Sequence, residues 1–128
     1  MAYKFYELEI KMTSENEAKV FEIFERLRII CSNNLQADEA SKVLLKLSSL
    51  YGTLIDLSIS AQMDYNRKYE AFADECEKIT EARARSKASP EYERVLRLEG
   101  KVDVCKELIN SLKYLLKVKL DEKRDSTY

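Results

Sequence analysis

The stretch Val43–Ile79, VLLKLSSLYGTLIDLSISAQMDYNRKYEAFADECEKI, decides the fold. Val43, Leu47, Leu50, Leu54, Leu57, Ala61, Tyr65, Tyr69, Phe72, Cys76 and Ile79 follow one another at spacings of three or four. That period lays them along one stripe of an α-helix, in a heptad-like pattern. The stripe predicts a helix over about 39–87, capped by Asp38, and roughly 70 Å long at 1.5 Å per residue. Gly52 and the serines Ser58 and Ser60 are where a bend is expected. A helix this long cannot bury its stripe alone. It must fold back on its own chain, pair with another copy, or both.

The neighbouring segments carry the same period. Val20, Phe24, Leu27 and Cys31 form a seam behind a capping box at Ser14–Glu17, which predicts a helix over about 15–32, closed by Ser32–Asn34. Pro90 disfavours helical backbone at Ser89 and suits the first position of a new helix. Ser89 is its expected cap, with Glu91 and Glu93 in an acidic first turn. Leu98, Val102, Cys105, Ile109, Leu112 and Leu116 give this helix its seam, over about 90–119. Gly100 lies just off that seam, where a close helix approach is expected. The polar residues 121–128 read as a frayed tail.

One segment departs from the helical period. Tyr6, Leu8, Ile10 and Met12 alternate with Glu7, Glu9 and Lys11, which predicts a short β-strand over about 4–12. Leu116, Val118 and Leu120 offer a mate by the same alternation, although they equally continue a helix. The expected fold is all-α: an elongated helical bundle with a long antiparallel helical hairpin and a short N-terminal β-strand, oligomeric, as a single helical domain over 1–128.

Composition agrees. The chain has 128 residues, of which 35% are charged and 45% hydrophobic, with two glycines and one proline. Few breakers and many charges suit long helices with few turns. Net charge is −1, so no global basic field draws the chain to nucleic acid or acidic lipid. The basic character is local. Residues 1–40 hold five Lys/Arg and eight Asp/Glu, whereas residues 81–128 hold twelve and nine. Cys31, Cys76 and Cys105 are far apart and lie in apolar stripes, as reduced core thiols do. The N-terminal sequence lacks the apolar core of a signal peptide, and no apolar run is expected to approach membrane-spanning length. A cytoplasmic location is expected, whether of a cell or of a virus's host.

Chemistry is expected to be absent. The chain has no histidine, the commonest general base and metal ligand. Asp74 with Glu75 or Glu77 reads as a solvated face. No glycine-rich loop cradles a phosphate. A non-enzymatic protein without cofactor or metal is expected. What remains is a basic constellation around Pro90. Arg83, Arg85 and Lys87 end one helix, where cations favour the helix dipole. Arg94, Arg97 and Lys101 follow at i, i+3 and i+7 on one face of the next. These six cations form the candidate nucleic-acid-binding site, holding a phosphate backbone while Tyr92 stacks a base. Glu91, Glu93 and Glu99 oppose this by pairing with arginines, Glu93 to Arg97 in the favoured order. Tyr65, Tyr69 and Phe72 continue the seam and read as packing.

The basic helix end EARARSKA (81–88), the charged opening PEYERVLRLEG (90–100) and the amphipathic KELINSLKYLLKVK (106–119) together resemble phage recombination mediator proteins of the UvsY type. The resemblance covers roughly residues 60–120. It implies an oligomeric helical protein that binds single-stranded DNA and helps load a recombinase onto strands coated by single-strand-binding protein. It places DNA contact at Arg83 and Arg85. The N-terminal segment and the short connection before the last helix depart from that pattern. Two rival readings belong to other classes: a protein-binding helical adaptor or inhibitor of a host complex, and a small helical subunit of an RNA-guided assembly.

Overall fold

The computed structural model describes the backbone of residues 2–125 and the side chains of residues 17–122. Four helices follow in order: α1 (Ala2–Cys31), α2 (Ala37–Glu75), α3 (Ile79–Lys87) and α4 (Pro90–Asp125). Among the described residues there is no strand, so the fold is all-α.

The expected strand over 4–12 is replaced by the first turns of α1. A lone strand leaves its backbone groups unpaired, whereas a helix satisfies them within the segment. The side chains of the alternating residues lie outside the described residues. The helix also runs through Ser14–Glu17, so the capping box there starts nothing. At the other end, Leu116–Leu120 continue α4, and residues 121–125 extend it beyond the expected end. The last three residues of the expected tail, 126–128, lie outside the described residues. α2 opens at Ala37, which puts Asp38 in its first turn, where it complements the helix dipole.

The chain forms two compact units. One combines the chain up to Leu50 with Glu107 onward, and the other is Tyr51–Lys106. In the first, Phe24 and Leu27 of α1, Val43, Leu47 and Leu50 of α2, and Ile109 and Leu112 of α4 are buried. Leu35, in the connection between α1 and α2, is buried with them, and its carbonyl accepts a hydrogen bond from Lys119 Nζ. In the second unit, Leu54, Leu57 and Ala61 are buried from α2, Ala82 and Ser86 from α3, and Val95, Leu98 and Cys105 from α4. Each fully buried leucine contributes about 1.5–3 kcal/mol relative to exposure. The α2 stripe from Val43 to Ala61 therefore closes within the chain's own units, whereas Tyr65, Tyr69, Phe72 and Cys76 farther along it are half-buried and Ile79 is exposed.

Two expectations about α2 are corrected. It is not interrupted at Gly52 or Ser58–Ser60, and it does not run to residue 87. It stops at Glu75, after which Cys76, Glu77 and Lys78 separate it from α3. The reason is the face the chain must bury. An unbroken helix would carry Arg83 inward, four residues after Ile79. The break re-aims α3 so that Ala82 and Ser86 face inward and Arg83 stays exposed, leaving Ile79 in solvent. Gly100 is likewise not a point of close approach, since a Cβ there would meet nothing within 4 Å.

By length and composition, α2 is apolar enough to cross a membrane, with a mean hydropathy of 1.3 over 18 residues. This corrects the expectation that no run approaches that length. The apolar content has two sources: the buried stripe, and exposed residues such as Leu45, Ile59 and Met63. Of the cysteines, Cys105 is buried, whereas Cys31 and Cys76 are half-buried and Cys76 stands in the α2–α3 break rather than in a helix.

Candidate nucleic-acid interface

The corner between α3 and α4 is built by serines. Ser86 and Ser89 are buried, and each hydroxyl is satisfied locally. Ser86 Oγ donates to the Ala82 carbonyl at 2.7 Å, and Ser89 Oγ donates to the Ser86 carbonyl at 2.5 Å. Ser89 Oγ also accepts from the Tyr92 N–H at 3.4 Å, which caps α4 as its sequence predicts. Small side chains let α3 pack closely, and their hydroxyls avoid the cost of a buried unpaired donor. Only Ala88 and Ser89 separate Lys87 from Pro90, so both basic groups start from one short turn.

The six cations are not equivalent. Arg83, Arg85 and Lys87 are exposed because the inward face of α3 is held by Ala82 and Ser86. Residues two apart on a helix lie about 200° apart, so Arg83 and Arg85 point to opposite flanks, while Arg83 and Lys87 share one. Arg85 is paired with Glu81 at 3.2 Å. Arg94 is half-buried and donates to Asp64 of α2 at 3.0 Å, tying the two helices together. Arg67 also approaches Asp64, at 3.8 Å. Lys101 is half-buried, and Arg97 is exposed. Among the described residues, Arg83, Lys87 and Arg97 have no ion-pair partner. The expected Glu93–Arg97 pair is not formed.

Tyr92 is occupied as well. Its ring packs on Tyr65 with centroids 5.3 Å apart and planes tilted by 43°. Such a tilted pair stabilises beyond its buried area and withdraws the Tyr92 face from base stacking. Tyr65, Tyr69 and Phe72 are half-buried, in keeping with a packing role, and Lys68 lies over the Phe72 ring at 5.3 Å. Sequence reading missed the Asp64–Arg94 tie. Its only signal is that Asp64 directly precedes the seam position Tyr65, and Arg94 directly precedes Val95, an apolar residue three positions before the seam position Leu98. Glu91 Oε2 is buried without a protein partner among the described residues. It sits in the first turn of α4, where the helix dipole favours a carboxylate. Among the described residues, no three acidic or thiol groups cluster as a metal site would need.

No family model matches the chain, and neither a curated protein nor a solved structure matches it.

Proposed function

We propose that the protein is a non-enzymatic, oligomeric accessory protein that binds single-stranded DNA and serves recombination or replication of the phage type, helping to load a recombinase in a cytoplasm. The observation that carries this reading is the set of exposed, unpaired cations Arg83, Lys87 and Arg97 flanking one tight corner. Arg85 joins them once its exposed pair with Glu81 opens, which costs little in water. Arg94 serves the fold instead, and Tyr92 is engaged with Tyr65. Binding on this reading is electrostatic and independent of base identity.

Three phosphate contacts on a single strand give a salt slope of about −2 per protomer, and each removed cation lowers it by about 0.7. Weak contacts of this size gain affinity when several copies follow one strand. The test is fluorescence anisotropy of a labelled single-stranded oligonucleotide at low and moderate salt. Arg83→Glu with Lys87→Glu is expected to abolish binding with helicity intact. Equal affinity of that variant and the parent chain, or no binding by the folded parent at low salt, overturns the proposal. Binding that persists without salt dependence favours the adaptor reading.

A further inference from the structure

Within the first unit, α2 and α4 leave an open trough of about 470 Å³. Leu44, Leu116 and Leu120 give it an apolar floor, and Lys113, Lys117 and Asp121 line its rim. A second hollow of about 280 Å³, reaching toward Ala37 and Ser41, shares Leu116 and Leu120 with it. Leu120 is 63% exposed, although it lies beside a buried core. None of these residues belongs to the basic corner, so the surface stands apart from the DNA reading.

The rim says what fits there. A rim of one sign would call for a partner of the other sign. This rim carries both signs on one helix, Lys117 and Asp121 four residues apart. Among the described residues, neither forms an ion pair. Lysine preceding an acid at i, i+4 is the less favoured order within a helix, which leaves both charges available. Such a pattern is complementary to its own antiparallel copy. If a two-fold axis passes near Lys119, Lys117 of each copy stands opposite Asp121 of the other, and Leu120 of each enters the facing trough. We propose that this trough is a two-fold self-association surface whose occupant is α4 of a second copy of the chain. The contact is isologous: the same patch serves both partners and the assembly closes at two.

A charge swap on the full chain, followed by sedimentation equilibrium from low to high micromolar concentration, tests the proposal. Because each substitution acts twice in a two-fold contact, Lys117→Asp and Asp121→Lys are each expected to weaken the dimer about tenfold. The double variant restores the pairs with signs exchanged and is expected to recover most of the affinity. Leu120→Glu places a charge in the apolar trough and is expected to leave a monomer. All three substituted positions are exposed, and circular dichroism checks that helicity is kept. A wild-type chain that stays monomeric overturns the proposal. So does an assembly that Leu120→Glu leaves unchanged, or a double variant no tighter than the single ones.

Discussion

Lys78 stands at the cap of α3 with an extended backbone, φ −114° and ψ 134°, and makes no side-chain hydrogen bond to the helix it precedes. The first amides of α3 therefore lack a side-chain acceptor at this position. Lys78→Asp supplies one. The backbone there already has the geometry that a capping aspartate adopts, so the gain is that of an N-cap, about 1 kcal/mol. Replacing a cation by an anion at a helix start adds a few tenths more. At an unfolding entropy of about 2.1 cal/mol/K per residue, 1 kcal/mol corresponds to a rise in Tm of about 4 °C. The sign is what discriminates. In the unbroken helix over 39–87 that periodicity alone suggests, position 78 would be interior. Aspartate would then cost up to about 0.5 kcal/mol against lysine, and Lys78→Ala would be slightly stabilising. Urea and thermal unfolding of the two variants, followed at 222 nm, separate the cases. Stabilisation by aspartate together with little change for alanine supports the break. Destabilisation by aspartate would refute the capped α3 and the re-aiming of its buried face.

Other expectations follow from single positions. Gly52→Ala and Gly100→Ala meet nothing within 4 Å in helix interiors, so each is expected to stabilise by about 0.5–1 kcal/mol in chemical unfolding. Leu54→Ala and Leu98→Ala empty fully buried sites and are expected to cost about 3 kcal/mol each, measured as a lower urea midpoint. A double-mutant cycle between Asp64→Asn and Arg94→Gln should give a coupling of about 1 kcal/mol or less at low salt. The side chains are 46% and 25% exposed, so solvent screening limits the pair. Arg94→Gln should leave DNA affinity close to that of the parent chain while Arg83→Glu does not. Burial pushes the Cys31 thiol above the ordinary thiol range. Raised in the folded state, it contributes stability below the unfolded thiol pKa, and that contribution is lost as pH rises through the folded value. Its alkylation rate, followed by mass spectrometry, should accordingly reach half-maximum at a higher pH than that of a free thiol.

The fold class was legible because helical period is a local property. The three- and four-residue spacing from Val43 to Ala61, and from Leu98 to Leu112, marks residues that are buried, except for the half-buried Val102. Ser89 and Pro90 announced the start of α4 through chemistry confined to a few neighbouring atoms. The first segment misled because alternation over seven residues carries no information about a strand partner, and none is present among the described residues. The break at Cys76–Lys78 was invisible for a related reason. No glycine, proline or capping side chain marks it, and it follows from which face α3 must present to its neighbours.

For the candidate site, the sequence by itself determined that six cations cluster around Pro90 and that the chain lacks the histidine of ordinary catalysis. Only the tertiary structure decided which of them are free to meet a ligand. Asp64 is thirty positions from Arg94, and Tyr65 is almost as far from Tyr92. Pairings at that distance depend on how helices pack, which local spacing does not encode. They commit one arginine and one tyrosine to the fold and leave Arg83, Lys87 and Arg97 in water.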